Sequence, residues 1–304
     1  MSNIDFKSQT QIFFKSLQEN ITAALEKEDG GGKFVQQLWE RDGGGGGRTM
    51  VLQEGAVIEK GGVNFSAVEG ELPENIQKAL GVKSNKFFAT GVSIVIHPHN
   101  PWVPIIHMNV RYFETSKDDR VEEQWFGGGI DLTPHYVNKE QAQFFHQQLK
   151  NTCDSYGDEL YADYKKWADD YFFIKHRNET RGIGGIFFDR LKNNEKYSME
   201  QRFEFVKAVG NTFAPTYTQL MSWNKSKVYT ETEKNWQMIR RGRYVEFNLV
   251  YDKGTKFGLD TGGRIESILM SLPKMASWPY DPQFDENSRE KETLGLLVKG
   301  INWL

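Results

Sequence analysis

Polar side chains with the chemistry of an active site occupy alternate positions of one segment, Ile105 to Phe113. His107, Asn109 and Arg111 supply a proton donor, a hydrogen-bonding amide and a guanidinium that can clamp a carboxylate. The positions between them are large and apolar, so the segment predicts a strand with one buried and one functional face. A solvent-exposed sheet face is the alternative, although such a face more commonly carries Thr, Lys or Glu.

Two further groups of residues extend this candidate face. Ser93 and His97 join it if the strand from Phe87 to His97 pairs with the first strand in the matching register. Asp131 follows the glycines 127–129, where a ligand or a neighbouring backbone can approach closely. The alternative for Asp131 is a turn aspartate that caps its own backbone.

A polar run, Lys175 to Arg181, separates an apolar helical stripe that ends at Tyr171 from a β-prone segment flanked by glycine. A solvated loop is one interpretation of this run. A charged floor that positions carboxylates and braces the strand of His107 is the other. Arg177 and Arg181 are therefore second choices as carboxylate clamps, unless they pair with Glu179 to hold the loop.

Glycine-rich and basic segments provide three more candidates. Gly43 to Gly47 lacks the Lys-Ser/Thr that follows a phosphate-binding loop, so it is either a flexible connector or a mobile flap. Arg240 to Arg243 is either a solvated turn or an anion site. Gly262 to Arg264 again combines glycine with arginine.

The six histidines are sufficient for a metal site, and His97 and His99 with a nearby carboxylate would suit a non-haem iron centre. No compact motif such as HExxH is present, and two histidines on either side of a proline are more typical of a turn. We therefore favour a mechanism without a metal.

The order of elements predicts the fold class. Strands are expected at 50–52, 56–59, 63–66, 87–97, 105–113, 121–126, 184–189 and 244–251, and helices at 13–25, 138–149, 160–171, 198–220 and 288–304. Residues 35–39 are expected to form a short turn, and 127–134 a sharp one. Because most strands follow one another through short turns, we predict an α+β protein, a single domain over residues 1–304 whose antiparallel sheet packs against helices.

Composition limits the partners and the location. The formal charge of −3 disfavours nucleic acid and anionic membrane surfaces, and the single cysteine, Cys153, excludes a disulfide within the chain. No segment reaches the roughly 18 consecutive apolar residues of a membrane span. The N-terminal residues show neither a secretory nor a transit pattern, so we expect a cytoplasmic protein without stable membrane insertion.

Several motifs match one family. The central block, which includes HRNETRGIGGIFFD at 176–189, resembles the signature of oxygen-dependent coproporphyrinogen III oxidases. Four further blocks resemble that family in the same order: EKGGVN at 59–64, HMNVR at 107–111, WFGGGIDLTP at 125–134 and TGGRIES at 261–267. One departure is Ala168, where the family commonly has cysteine, so a mechanism that uses a conserved thiol does not apply to this chain.

The resemblance implies a fold and an activity. The fold is a large curved antiparallel sheet of about seven strands flanked by helices on both faces. The activity is the oxygen-dependent oxidative decarboxylation of two propionates of coproporphyrinogen III to vinyl groups, giving protoporphyrinogen IX in haem biosynthesis. Carbon dioxide and hydrogen peroxide are released, molecular oxygen is the co-substrate, and no organic cofactor is required. A homodimer is implied, with its contact near Tyr244 to Trp278.

The resemblance also implies roles for individual residues. His107 corresponds to the proton donor and Asp131 to a carboxylate near the pyrrole nitrogens. Substrate contacts are implied for Ser93, Asn109, Val110, Arg111, Gly262, Gly263 and Arg264. We favour Arg111 and Arg264 as the clamps for propionates, and we expect Asp131→Ala to reduce turnover with much less effect on folding.

Two alternatives remain open. A divalent metal, which some members of the family are proposed to use, would correspond to His97, His107, His146 and His176. A metal-dependent dioxygenase for another substrate and a non-catalytic tetrapyrrole carrier are the rival classes of function.

Overall fold

A seven-stranded antiparallel sheet positions the candidate residues. The computed structural model describes residues 5–74, 77–78, 81–118, 120–260 and 263–304. The strands of the sheet are β1 (Val35–Glu40), β2 (Gly45–Gln53), β3 (Ile58–Glu71), β4 (Lys86–Pro98), β5 (Ile105–Lys117), β6 (Arg120–Thr133) and β9 (Gly185–Leu191). They lie side by side in that order, and each neighbouring pair is antiparallel. The short strands β7 (Phe173–Ile174) and β8 (Glu179–Thr180) form a separate hairpin.

Helices cover both faces of this sheet. Across the described ranges they are α1 (Phe6–Asp29), α2 (Lys139–Asp154), α3 (Leu160–Tyr171), α4 (Met199–Asn224), α5 (Glu231–Val250), α6 (Lys253–Asp260), α7 (Ile265–Leu269) and α8 (Arg289–Leu296). The first four pack on the apolar face, whereas α5 and α7 contact the other face. The predicted α+β class is therefore confirmed. None of these helices combines the length and the apolar character that a bilayer crossing requires.

Period-two patterning builds the core on one face of the sheet. Ile94, Met108, Ile130 and Ile186 lie opposite one another on β4, β5, β6 and β9, and all four are fully buried. Burying an aliphatic side chain of this size contributes about 1.5–3 kcal/mol to folding. Successive side chains of a strand alternate between the two faces of the sheet, so the residues that precede and follow each of these four point to the opposite face.

Capping side chains define the helix ends that the sequence predicts. The Asn138 side chain accepts from the backbone N–H of Gln141 at the start of α2, and Ser198 forms a capping box with Gln201 at the start of α4. The C-terminal helix differs, because α8 ends at Leu296 and residues 297–304 are not helical.

The segment 244–251, predicted as a strand, is helical instead. Thr230 and Glu233 form a capping box that begins α5, and the helix continues to Val250. Its β-prone residues include Tyr244 and Phe247, which lie on a buried helix face, so tertiary packing overrides their local preference. The basic group within α5 is no solvated turn: Arg240 pairs with Glu179 at 2.7 Å, and Arg241 pairs with Glu59 at 2.5 Å.

Glycine segments were the other source of wrong expectations. Residues 127–129 do not turn away but continue β6, and a side chain at Gly128 would clash with the carbonyl oxygen of Asn109, 2.7 Å away. Residues 43–47 are no connector, since they form the turn and first residues of the β1–β2 hairpin, with a positive φ at Gly44 and Gly45. Likewise 35–39 lies in strand β1, and the predicted strands at 56–59 and 63–66 form one strand, β3, that begins at Ile58.

Candidate active site

Polar residues from four strands form a single row across the sheet. Thr49, Asn64, Ser93 and Asn109 lie opposite one another on β2, β3, β4 and β5, and the row continues through Gly129 on β6 to Phe187 on β9. The predicted alignment of Ser93 with the face of Asn109 is therefore confirmed. Only this register brings together residues that lie up to 80 positions apart.

The rows on either side complete the face. His107 lies opposite Asp131 in one of them. In the second row, Arg111 lies between Gly91 on β4 and Gly127 on β6. Its two cross-strand neighbours therefore have no side chains. Val110, by contrast, points to the other face and is fully buried in the core. Its side chain therefore cannot belong to the polar face.

Asp131 is the centre of a buried charged group. Its Oδ1 accepts a hydrogen bond from His107 Nδ1 at 2.8 Å, and Arg181 Nη2 lies 2.7 and 2.8 Å from its two oxygens. The Asp131 side chain is 1% exposed and that of Arg181 is 2% exposed. Burial acts to raise the pKa of Asp131, but the Arg181 guanidinium and the hydrogen bond from His107 outweigh it, and the pKa lies below its ordinary value. Asp131 is therefore ionised and does not cap its own backbone.

Aromatic rings hold the Arg181 guanidinium in this buried position. Its central carbon lies 4.4 Å from the ring centre of Phe172, 4.6 Å from that of Tyr244 and 4.7 Å from that of Phe247. Its Nη1 donates to Asn248 Oδ1 at 2.8 Å. Such a complete set of partners is what allows a buried charge to be retained.

The segment that contains α7 lies over the polar row. Asn64 Nδ2 donates to the Ser267 carbonyl at 3.1 Å, and Thr49 Oγ1 is 3.0 Å from Ser267 Oγ. Arg264 directly precedes α7 without making a side-chain capping hydrogen bond, and its buried Nη1 has no hydrogen-bond partner among the described residues. That nitrogen is a donor available for an anion.

Gly262 and Gly263, which precede Arg264, are the two glycines predicted to contact the substrate. Gly263, directly before Arg264, donates its N–H to the Gly258 carbonyl at 2.7 Å. Gly262, also predicted as a substrate contact, lies outside the described residues.

This arrangement suits a polyanionic ligand. The polar row offers hydroxyl and amide groups, and Arg111 and Arg264 supply guanidinium groups for carboxylates. His107, whose side chain is 21% exposed, can exchange a proton with that ligand while Asp131 fixes its orientation.

Comparison with known proteins identifies the family. Residues 9–303 match the family model described as coproporphyrinogen III oxidase. The chain belongs to this family.

Curated relatives support that assignment over nearly the whole chain. The oxygen-dependent coproporphyrinogen-III oxidase of Rattus norvegicus, named as mitochondrial, is 49% identical over 310 residues, which cover 99% of this chain and 69% of the relative. The Homo sapiens mitochondrial protein of the same name is also 49% identical, over 99% of this chain and 68% of its own length. The chloroplastic protein of Glycine max is 45% identical, over 100% of this chain and 81% of its own.

The four histidines that the resemblance suggests for a divalent metal, His97, His107, His146 and His176, are not brought together. His97 Nε2 donates to the Ser271 carbonyl at 2.8 Å, and His107 binds Asp131. His146 contacts the Tyr161 hydroxyl and the Ile183 carbonyl, whereas His176 contacts Glu246 and the Tyr251 hydroxyl. Within the described ranges, no three His, Cys, Asp or Glu residues converge in a way that could hold a metal ion. These side chains therefore do not fit such a centre.

The polar run 175–181 of the coproporphyrinogen III oxidase signature divides into two parts. His176 and Arg177 are partly exposed and both bind Glu246, at 2.7 Å in each case. Glu179 pairs with Arg240, whereas Arg177 pairs with Glu246 and Arg181 with Asp131, so the alternative in which either arginine pairs with Glu179 is not what the structure shows. Only Arg181 enters the active-site group, where it braces the strand of Asp131 rather than facing the polar row.

Sequence reasoning missed several residues of this site. The sequence patterns favour Arg181 only as a second choice, and they do not single out Asn64, Thr49, Asn248 or Ser271. Asn64 stands in the EKGGVN motif, which was a usable signal. No such signal points to Asn248, because the sequence predicts a strand at 244–251, where the structure has a helix.

Proposed function

We propose that this chain is an oxygen-dependent coproporphyrinogen III oxidase, which converts two propionates of coproporphyrinogen III to vinyl groups. Protoporphyrinogen IX is the product of this step of haem biosynthesis. For each propionate, the substrate loses carbon dioxide and the equivalent of a hydride, and that hydride with one proton reduces oxygen to hydrogen peroxide. The electrons come from the reduced tetrapyrrole, so the proposal requires no organic cofactor.

One observation carries the proposal. Residues from separate family motifs meet on one sheet face: Asn64 from EKGGVN, Asn109 from HMNVR, Asp131 from WFGGGIDLTP and Ser267 from TGGRIES. The face they form carries neutral hydrogen-bonding groups and the Arg111 guanidinium, which are the groups that the propionates of a tetrapyrrole require. A family motif that served the core alone would not place its polar members on this face.

His107 is proposed as the group that moves protons. Its Nδ1–H is held by Asp131, so Nε2 is the ring nitrogen left for the substrate or the peroxide. An ionised Asp131 stabilises the protonated ring, as in other carboxylate–histidine pairs. The role of Asp131 at the pyrrole nitrogens stays a prediction. Because both its oxygens are bound to Arg181, we propose that Asp131 acts through His107.

Arg111 and Arg264 are proposed as the propionate clamps. Arg111 is about one third exposed on the polar face, and Arg264 carries an unpartnered buried Nη1 above it. A planar guanidinium binds both oxygens of a carboxylate, so two of them fix the orientation of the macrocycle as well as its affinity. Asn109 lies between His107 and Arg111 on β5, and Ser93 lies opposite Asn109 on β4, so both are available as neutral hydrogen-bonding groups.

A homodimer is part of the proposal. Seven large apolar residues between positions 244 and 278 are exposed: Leu249, Val250, Phe257, Leu259, Ile265, Met275 and Trp278. A concentration of exposed apolar side chains marks an interaction surface, and a second copy of this chain is the occupant that the family resemblance implies. The cytoplasmic location also stays a prediction. The names of the relatives place those proteins in mitochondria and chloroplasts.

One experiment tests the function against its rivals. Chelator-treated protein is mixed anaerobically with coproporphyrinogen III, exposed to oxygen, and sampled for products that carry one or two vinyl groups. The proposal expects oxygen-dependent vinyl products and stoichiometric hydrogen peroxide without added metal. An Asn variant of His107 serves as the matched protein with a disabled proton donor.

Each rival gives a different result. Activity that is lost on chelation and restored by iron would support a metal-dependent oxygenase. Binding of coproporphyrinogen without conversion in air would support a carrier, and it would end the enzymatic proposal.

A further inference from the structure

Arg111, one of the proposed clamps, is held by a carboxylate from a different strand. Arg111 Nη2 lies 2.9 Å from Asp189 Oδ1, and both side chains are about one third exposed, at 34% and 35%. Its Nη1 donates to Asn109 Oδ1 at 2.7 Å. A guanidinium has five N–H donors, so these contacts engage one donor on each terminal nitrogen and leave others for a ligand.

The backbone at Asp189 is irregular at the point where this contact forms. In the pairing of β6 with β9, Phe126 lies opposite Leu191 and Gly128 lies opposite Phe188. Two residues of β9, Asp189 and Arg190, therefore stand against the single residue 127 of β6. This is a β-bulge, a device that redirects a side chain and is frequent beside active sites.

Two further features accompany the bulge. Arg190 has a φ of +52°, a left-handed conformation that is uncommon for a residue other than glycine, and its N–H donates to Asp189 Oδ1 at 2.9 Å. Gly127 lies beneath the ion pair: a Cβ there would be 2.5 Å from Asp189 Oδ1 and 2.7 Å from Arg111 Nη2. The bulge, the backbone conformation and the glycine all serve the same contact across β6.

From these features we infer that Asp189 is a positioning residue for Arg111 and sets the affinity for the substrate carboxylate. Arg side chains have many rotamers, and fixing one of them before binding removes an ordering cost from the binding step. Asp189 and Asn109 together define the plane of the guanidinium, so its remaining donors are held in one orientation for a ligand. This inference rests on the proposed function for the identity of the carboxylate ligand.

Steady-state kinetics on Asp189→Ala and Asp189→Asn test the inference. With coproporphyrinogen III as substrate, Asp189→Ala is expected to raise KM about tenfold, the loss that follows from ordering a rotamer-rich side chain on binding, with kcat within about twofold of wild type. Asp189→Asn keeps a hydrogen-bond acceptor, so its KM is expected to stay within about threefold of wild type. Fluorescence titration with coproporphyrin III, the oxidised tetracarboxylate, measures affinity without turnover and is expected to follow KM.

A matched control lies on the same two strands. Glu123 on β6 pairs with Lys192 next to β9, and these side chains are 38% and 42% exposed, but they do not contact the polar row. Glu123→Ala is expected to leave KM unchanged. Equal effects of the two alanine variants would reduce Asp189 to a structural role and overturn the inference.

The other outcomes are equally decisive. A lower KM in Asp189→Ala would show that Asp189 competes with the substrate, and a lower kcat at unchanged KM would place it in the chemical step. Either result overturns the inference. If wild-type protein neither converts coproporphyrinogen III nor binds the porphyrin, the proposed function fails as well, and that result is distinct from unchanged KM in an active Asp189→Ala enzyme.

Discussion

Arg181 Nη2 contacts both carboxylate oxygens of Asp131, at 2.7 and 2.8 Å, and neither side chain is more than 2% exposed. The pair therefore contributes to stability as well as to the site. Removing one member of a buried ion pair leaves the other charge without compensation, which costs about 3–5 kcal/mol. From the sequence alone, loss of Asp131 is expected to spare the fold. The structure leads to the opposite expectation.

We predict that Asp131→Asn and Arg181→Met each reduce the free energy of unfolding by about 3–5 kcal/mol, whereas the double variant loses clearly less than the sum. Turnover should be low in all three. His107 loses its carboxylate partner in the two variants with Asp131→Asn, and in Arg181→Met the buried Asp131 loses the guanidinium that keeps its pKa low and the group ionised. Urea unfolding and oxygen-dependent vinyl formation are the two measurements. Additive losses of stability, or near-normal turnover in Asp131→Asn, would contradict the assignment.

Buried neutral histidines predict how stability depends on pH. Burial lowers the pKa of His146 to about 3 and that of His97 to about 3, and burial likewise lowers that of His135. Between the unfolded value of 6.5 and these folded values, the unfolded chain binds more protons than the folded one. Stability must therefore fall as the pH drops below about 6.5. At pH 5 each such residue lowers it by about 2 kcal/mol.

His146→Gln isolates one of these contributions. Because Gln does not titrate, the variant should lose about 2 kcal/mol less than wild type between pH 7.5 and pH 5, as measured by urea unfolding at each pH. Any loss of packing caused by the substitution lowers the free energy of unfolding at both pH values, so it cancels when the difference between the two values is compared with that of wild type. Burial acts to raise the pKa of Glu246, but hydrogen bonds from Arg177 and His176 lower it to about 2. The stabilisation that Glu246 provides is therefore lost only as the pH falls below about 4.5. An unchanged pH dependence in His146→Gln would show that this ring is not the group that titrates.

Local patterns were sufficient for much of the fold, but not for the partners of its polar residues. Alternation over 105–113 predicts β5 and its functional face, and the structure agrees. Asp131 and Arg181 are 50 residues apart in the chain, and aromatic rings from other elements surround the guanidinium. No local pattern contains this information, so the ion pair could not be predicted. The helix at Tyr244 was missed for a related reason: β-prone residues form a helix there because of what they pack against.

The proposed dimer makes a prediction about mass in solution. Wild type is expected at twice its monomer mass of 35.1 kDa. Leu249→Glu combined with Met275→Glu should shift it to the monomer mass, because these side chains are 46% and 63% exposed in the proposed contact and two buried carboxylates would oppose association. Light scattering coupled to size-exclusion chromatography measures both.

Two controls separate this surface from others. Val228→Glu changes a side chain that is 92% exposed outside the segment, and it should leave the mass unchanged. Val35→Glu changes the edge strand β1, where the side chain is 71% exposed. Dissociation by Val35→Glu alone would move the contact to β1, and a monomeric wild type would contradict the dimer itself.

Gly62 and Met270 provide the last prediction, which concerns how the α7 segment is seated. A Cβ at Gly62 would lie 2.0 Å from Met270 Sδ, so Gly62→Ala must displace a methionine that is only 6% exposed. Overpacking of this kind costs about 1–3 kcal/mol. Met270 directly follows α7 and Arg264 directly precedes it, so the displacement should also move the Arg264 clamp and raise KM by about tenfold, with a smaller change in kcat.

A second substitution tests that explanation directly. Met270→Ala removes the clashing side chain, so the double variant Gly62→Ala with Met270→Ala should recover most of the lost affinity even though Met270→Ala alone leaves a cavity. Gly295→Ala is the matched glycine control, since a Cβ there meets nothing within 4 Å and KM should not change. If the double variant binds no better than Gly62→Ala, the effect of residue 62 does not pass through Met270, and the seating of α7 on β3 needs another explanation.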